Sequence, residues 1–254
     1  MKNIKKYIIN HLEQLDIKHN DHILLYSKIS SFGVIEKHFS KLLLNIILAH
    51  LGKNGTLIMP SYTFKKKKFI FNINKLSQNY STGILVKEFF KNNKIKRSLK
   101  PIHSHIGIGK KSYILSNKLK NFNSFGRNSD FDLLTKNNFK CVFLGCTPQE
   151  SATYLIHLEY INNAPYRNKI GIKKKILYGN LIKDVNVEYF DRPKEFSFDY
   201  NNAVKILKKL GMKTNHSNLK YGKSLSVKLK DFLKYGNIMF KKNKYCLIKK
   251  YDQK

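Results

Sequence analysis

Apolar positions along the first sixty residues alternate between two periods. Ile4, Tyr7, Ile8, Leu12 and Leu15 recur at helical spacing, predicting an amphipathic first helix with no continuous apolar segment of the kind a signal peptide carries. His22 to Tyr26 then reads as a strand, Lys37 to Leu51 as a helix, and Thr56 to Met59 as a second strand entered through a glycine turn and stopped at Pro60. Further helices are expected over Thr82–Lys91, Ser112–Leu119 and Phe131–Leu134, and a turn at Phe125-Gly126. Beyond Arg167 the period changes to two. Ile172–Tyr178 and Leu181–Phe190 form a hairpin turned at Gly179-Asn180, followed by a helix over Tyr200–Leu210, a short hairpin over Met212–Tyr221 and a helix over Ser224–Tyr235. Strands interleaved with helices early and hairpins late predict an α/β fold in one domain spanning residues 1–254, a mixed central sheet flanked by helices with β-hairpins in the C-terminal third. No repeat and no linker divides the chain.

The most informative junction runs from Phe143 to Arg167. An apolar strand (Cys141 to Leu144) stops at Gly145, and Ser151 to Tyr160 resumes at helical spacing. A helix start offers unpaired N–H groups, and His157 and Glu159 follow within the helix as groups able to move protons. Their spacing sets a limit: two residues apart on a helix is about 200° of rotation, so both face one pocket only if the helix is distorted. Two other stretches carry ligand chemistry. The loop Ser27 to Gly33 places serines ahead of a helix, a capping arrangement that also suits a phosphate or carbonyl oxygen. Lys96 to Gly109 holds Arg97, Ser98, His103, Ser104 and His105 among too many turn-formers for a core element and too many apolar residues for a loose linker. Arg97 offers a planar fork for a phosphate, and His103 and His105 would share one face of an extended segment.

Charge changes this picture less than its size suggests. The chain of 254 residues carries +33, which ordinarily points to a polyanionic partner. The lysines are spread throughout beside abundant Asn, Ile, Phe and Tyr, a pattern of AT-rich codon drift. The basic run Lys65 to Lys68 reads as a solvated surface, and no zinc-finger, RRM-like or P-loop signature supports nucleic-acid binding. The three cysteines, Cys141, Cys146 and Cys246, have neither metal-ligand nor disulfide-framework spacing, consistent with no metal and a reducing cytoplasm. No run approaches the ~20 apolar residues of a membrane span.

Taken in order, YSKISSFG, GTLIMPSYTF, STGILVKEFF, RSLKPIHS, FGRNSDFDLL, FLGCTPQESATYLIHLE and APYR resemble the aminoglycoside 3-N-acetyltransferase family, including its branch associated with surface sugars. The resemblance covers about residues 20 to 170. It implies acetyl transfer from acetyl-coenzyme A to a sugar amine. It also places coenzyme A against the loop of Ser27, Lys28, Ile29 and Ser30 and against Arg97, Ser98, His103 and Ser104. The catalytic histidine and the glutamate after it would lie on the helix that follows Thr153, which assigns these roles to His157 and Glu159.

The departures carry as much meaning as the matches. The family pattern is Thr-x-x-His-x-x-Glu, and here its first histidine position is Ile156, with His157 following; Tyr26 and Lys28 replace a His and a Ser usual in the first loop. Either His157 serves from a shifted helix, a base comes from His103 or His105, or the chain binds coenzyme A without turnover. Five of the 16 acids, Asp184, Glu188, Asp191, Glu195 and Asp199, fall within 16 residues. Asp191 or Glu188 is the candidate to face the amine. A nucleotide-linked amino sugar, or a related mono-amine, fits a +33 chain better than a polycationic antibiotic.

Overall fold

The computed structural model describes residues 2–34, 36, 38–63, 69–76, 82–115, 121–151 and 153–249. In chain order the elements are α1 (Lys2–Gln14), β1 (His22–Ser27), α2 (Phe39–Leu51), β2 (Thr56–Pro60), β3 (Ile70–Asn72), α3 (Ile84–Phe90), β4 (Lys96–Arg97), β5 (His105–Gly109), α4 (Asp130–Lys136), β6 (Lys140–Leu144), α5 (Thr153–Ile161), β7 (Lys169–Tyr178), β8 (Leu181–Phe190), α6 (Tyr200–Lys209), β9 (Asn215–Leu219), β10 (Gly222–Lys228) and α7 (Leu229–Lys242). The expected mixed α/β architecture is present. A seven-stranded sheet runs β4-β5-β2-β1-β6-β10-β9, and a second sheet joins β3, β7 and β8.

β1 lies parallel to both β2 and β6, while the outer strands are antiparallel. Strands buried on both faces read as continuous apolar runs, as HILLY and CVFL do. Their residues divide by parity. Ile23, Leu25, Leu57, Met59, Val142 and Leu144 pack against α1, α2 and α3, and Leu24, Tyr26, Ile58, Cys141 and Phe143 pack against α4 to α7. The chain leaves β1 toward β2 on one side and later fills the other side with β6. A crevice therefore opens at the carboxyl ends of these three strands, the usual ligand position in an open α/β sheet.

Several expected elements need correction. The segment after Lys96 is a buried loop between two strands: β5 pairs antiparallel with β2 and the two-residue β4 antiparallel with β5, and Arg97, Ser98, His103, Ser104 and His105 are all buried. Their polar groups find partners within the fold, Arg97 and Ser104 on Ser61, Ser98 and His105 on Asp130, and His103 on Ser124, so a buried polar loop at the sheet edge has the composition of a ligand site. The last hairpin is displaced, since Gly222–Lys228 is a strand and the final helix begins at Leu229. Ser224 and Ser226 alternate with Leu225 and Val227 and bond to α1, through His11 Nε2 at 2.9 Å and the Leu15 carbonyl. Buried serines on one face thus imitated a helix start. Only Ser112–Leu115 of the helix expected at 112–119 is described, as a single 3-10 turn, and the lysine run 65–68 lies outside the described residues.

Candidate active site

The crevice is a cavity of about 560 Å³, formed by the ends of β1, β2 and β6, the N-terminal turn of α5, and the end of β8. β1 contributes Tyr26 and Ser27 with Lys28 just after it, Pro60 ends β2 and Tyr62 follows, and Gln149 to Ser151 with Thr153 and Ile156 form the wall ahead of and within α5. Tyr189, Phe190, Arg192 and Tyr200 close the opposite side, with His103, Phe125 and Arg167 deeper in. Gly145 lets the β6 end come close to the first loop. Its φ is +69°, and a Cβ there would meet Ser31 Cβ at 2.7 Å and the Lys28 carbonyl at 2.8 Å, so a side chain would push the two loops apart.

The first loop is a 3-10 turn, Ile29–Phe32, and not a serine cap for α2. His38 stands at the α2 N-cap without a side-chain cap bond, and Ser31 Oγ donates to the Gly145 carbonyl at 2.6 Å. Ser27 and Lys28 line the cavity; Ile29 and Ser30 belong to the turn behind it. Lys28 Nζ pairs with Glu150 at 2.8 Å, both groups reaching solvent. Pairing with Glu150 raises the ammonium pKa and, against partial desolvation, Lys28 lowers that of the Glu150 carboxyl.

Arg97 is not a phosphate fork in this fold. Nε bonds Ser61 Oγ and Ser104 Oγ, one terminal nitrogen reaches the carbonyls of Asn72 and Lys75, and the other the Ser61 carbonyl and Ser104 Oγ. All five N–H groups therefore have acceptors. The guanidinium carbon lies 4.7 Å from the Phe71 ring centroid and 5.7 Å from that of Phe90, and burial lowers its pKa to about 10. Ser104 is occupied with Arg97 and Ser61, and Ser98 Oγ donates to Asp130. These residues bind the edge of the sheet together; of the segment's candidates only His103 lines the cavity.

The α5 candidates are also redistributed. The helix is regular, so Thr153 and Ile156 meet the cavity while His157, about 100° further round, is 3% exposed and packs between Phe131 and Tyr154. Its Nδ1 accepts the Gly126 N–H at 3.4 Å, and burial lowers its pKa to about 4. No shifted helix brings it to the cavity. Glu159 is fully buried, accepting from Tyr166 OH at 3.0 Å and lying 2.8 Å from Arg167 Nε. Burial raises its carboxyl toward about 7 against the opposing pull of Arg167 and Tyr166. Its partner Arg167 donates to Tyr200 OH at 2.7 Å, so Glu159 acts on the cavity only through the arginine it anchors.

Asp191 does not line the cavity; its carbonyl accepts from Arg167 at 3.3 Å. Asp199 caps α6, Asp184 and Glu195 are exposed, and Glu188 is partly buried away from the cavity lining, so the acidic cluster does not converge. The neighbour of Asp191, Arg192, is the one that reaches the cavity, its guanidinium 4.7 Å from the Phe198 ring. Among the described residues the lining therefore holds Lys28, Arg167 and Arg192 against one acid, Glu150. Sequence reasoning missed Tyr62 and Asp130. Tyr62 OH lies 3.5 Å from Tyr26 OH and 3.4 Å from His105 Nε2, and His105 Nδ1 lies 2.8 Å from Asp130. The Thr153 side chain acts on both tyrosine hydroxyls, opposing the rise that burial causes in their pKa. The only signal was the PSYTF motif beside an alternating His pair.

No helix among the described residues is long and apolar enough to cross a membrane, and no group of three or more His, Cys, Asp or Glu among them would hold a metal. No curated protein matches the sequence. Solved structures do match. The apoenzyme of aminoglycoside acetyltransferase AAC(3)-IVa aligns over 98% of this chain and 92% of its own at 18% identity and a TM-score of 0.80. AAC(3)-Xa aligns over 96% and 93% at 15% identity and 0.82, and AAC-IIIb in a binary complex with CoASH over 94% and 96% at 15% identity and 0.76. The family model described as aminoglycoside 3-N-acetyltransferase matches residues 24–241. With strands, crevice and matched span in agreement, the chain belongs to the aminoglycoside 3-N-acetyltransferase family, whose members are acetyl-coenzyme A-dependent N-acetyltransferases.

Proposed function

We propose that this protein acetylates the amine of an amino sugar that also carries an anionic group, such as a sugar phosphate or a nucleotide-linked sugar. The observation that carries this reading is the charge of the cavity lining. Among the described lining residues Lys28, Arg167 and Arg192 face one acid; that acid is paired with Lys28 and Arg167 is paired with the buried Glu159 behind the lining, so the excess positive charge at the rim is that of Arg192. A polyammonium acceptor would bring several like charges to this surface, whereas a phosphate finds the Arg192 guanidinium at its entrance. The Ser27–Lys28 side suits the phosphates of acetyl-coenzyme A, and Arg192 with Tyr189 suits the acceptor's anion.

Within such a complex the thioester carbonyl would lie near the Tyr26 and Thr153 hydroxyls, which can donate to the oxyanion as the amine nitrogen attacks. Aminoglycosides themselves are the second reading, favoured by the family and by a related AAC(3)-IVa variant crystallised with a gentamicin. The test is a thiol-release assay with glucosamine 6-phosphate, glucosamine and gentamicin across a salt series. The reading expects the phosphate to give the highest kcat/KM, declining as salt screens the field. A higher value for gentamicin that improves with salt would overturn it.

A further inference from the structure

Ile156 leaves the cavity side of α5 without a titratable group, and His157 is turned into the core. A second route for the proton leads away from the opposite wall. Tyr62 faces the cavity and is 5% exposed; behind it His105 is fully buried, and behind His105 stands Asp130 at 1% exposure. Because Nδ1 of His105 meets a carboxylate at 2.8 Å it carries the proton, which leaves Nε2 as an acceptor facing Tyr62 OH at 3.4 Å. Ser98 fixes this pair from both ends, its Oγ donating to the same Asp130 oxygen and accepting the His105 backbone N–H at 2.9 Å.

We propose that Tyr62 is the catalytic residue that takes the ammonium proton of the acceptor and passes its own to His105, with Asp130 as the positioning residue that holds the imidazole in its accepting tautomer and stabilises the imidazolium. The inference deepens the acetyl-transfer reading and rests on it. One proton moves from the ammonium to the Tyr62 oxygen as the Tyr62 proton moves to His105 Nε2, leaving a neutral amine, a neutral phenol and an imidazolium beside a carboxylate. The amine nitrogen then bonds the thioester carbon and the carbon–sulfur bond breaks. The departing thiolate takes the second nitrogen proton, and His105 returns its proton through Tyr62 to solvent.

The surroundings support this over the alternatives. Tyr62 cannot serve by ionising, since burial raises its phenol well above the ordinary range. His103 lines the cavity, but burial, with His105 and Arg167 nearby, lowers its pKa to about 3, a poor match for a base near neutrality. Burial opposes the Asp130 charge, yet His105, Lys100 and Ser98 together keep its carboxyl below the usual range. The titratable groups around His105 are thus Asp130 from α4, Tyr62 beyond β2 with Tyr26 of β1 behind it, and Lys100 and His103 from the approach to β5.

The experiment compares wild type, Tyr62→Phe and Asp130→Asn, each checked for folding by circular dichroism, with glucosamine and glucosamine 6-phosphate as acceptors. Tyr62→Phe keeps the ring that packs on His103 and His105 and removes only the oxygen. It is expected to lower kcat about 10²–10⁴-fold for both sugars, with the acetyl-coenzyme A dissociation constant within about twofold of wild type. Asp130→Asn should move the acid limb of the kcat profile about one unit to lower pH, because the imidazolium loses its carboxylate. An unmoved limb, or Tyr62→Phe activity within threefold of wild type, overturns the relay. Equal use of both sugars together with loss in Tyr62→Phe keeps the relay and removes the anionic-acceptor reading. Preference for the phosphate with an indifferent Tyr62→Phe does the reverse, and absence of transfer to either sugar by the wild type overturns both.

Discussion

Two histidine-bearing segments flank the cavity and are treated differently by the fold. On α5, His157 follows Ile156 on a regular helix, and the helical phase sends the isoleucine to the cavity and the histidine into an aromatic core. At the start of β5, His103 and His105 both meet the Tyr62 ring, at 4.9 and 5.5 Å between centroids, and one of them has a carboxylate behind it. The helical histidine has a backbone N–H as its hydrogen-bond partner; the strand histidine sits in a chain of side chains that ends at the cavity. A histidine becomes useful through the second group that fixes its tautomer and charge, and only the β4–β5 edge supplies one.

The β4–β5 edge depends on Arg97, so the largest expected effect comes from removing it. Arg97→Ala would take the side-chain donor from the carbonyls of Asn72 and Lys75 and leave the Ser61 carbonyl with Ser104 Oγ alone. A loss of about 3–5 kcal/mol in unfolding free energy is expected, from several buried hydrogen bonds to a charged group. Urea titration measures it, and a change below about 1 kcal/mol would show that the edge does not rely on this residue.

His157→Ala is expected to cost about 2–3 kcal/mol of stability at pH 7.5 by opening a cavity among Phe131, Tyr154 and their neighbours, while acetyl transfer stays within about threefold of wild type. The pH dependence separates packing from titration. His157 has its pKa lowered from 6.5 to about 4 in the folded protein. The unfolded chain therefore binds the proton first, and the neutral core histidine loses stability as pH falls from 6.5 toward 4. The alanine variant lacks that loss, so its deficit should shrink from pH 7.5 to pH 4.5. A deficit that grows on acidification, or a thousandfold loss of transfer at pH 7.5, would return His157 to the catalytic machinery.

The same contrast shows what the residues disclosed beforehand. Apolar periodicity was enough for α1, β1, α2, β2 and the long β7–β8 hairpin, because each buries an apolar stripe or alternates across a sheet. The first loop, the β6–α5 junction and Arg167 were visible as motifs and do line or border the cavity. The relay was not visible. His105 and Asp130 are 25 residues apart and His105 and Tyr62 are 43 apart, so nothing local distinguishes Asp130 from an ordinary acid at a helix start. Arg97 was misread for a related reason: its acceptors are mostly main-chain oxygens, which have no signature in a sequence. Asp191 and Arg192 show the limit of reading a charge cluster along the chain, since of these two adjacent residues only Arg192 lines the cavity.

Ile156→His sharpens the comparison further by placing an imidazole where α5 meets the cavity. In a Tyr62→Phe background it is expected to restore transfer by about tenfold, within the lower part of what a positioned general base contributes. The restored activity should be indifferent to Asp130→Asn, because the new base does not route its proton through His105. Failure of Ile156→His to raise the Tyr62→Phe rate would mean that this wall of the cavity does not face the reacting amine.

The smallest effect concerns the rim, where the α5 side and the β8 end meet. Arg192 is exposed, stacks on Phe198 and shares the cavity lining with Tyr189. An exposed guanidinium contributes little to folding, so Arg192→Gln should unfold at the wild-type denaturant midpoint. Its function is local if the acceptor carries an anion. The variant is expected to lose about three- to tenfold in kcat/KM for glucosamine 6-phosphate, near the ~1.4 kcal/mol that a tenfold change represents, and to leave glucosamine within about twofold. Added salt should narrow the gap between wild type and variant, because screening weakens the attraction that only the wild type has. A uniform loss for both sugars would mean that Arg192 serves acetyl-coenzyme A, which is common to both reactions, and would move the coenzyme's phosphates from the Ser27–Lys28 side to the β8 side of the cavity.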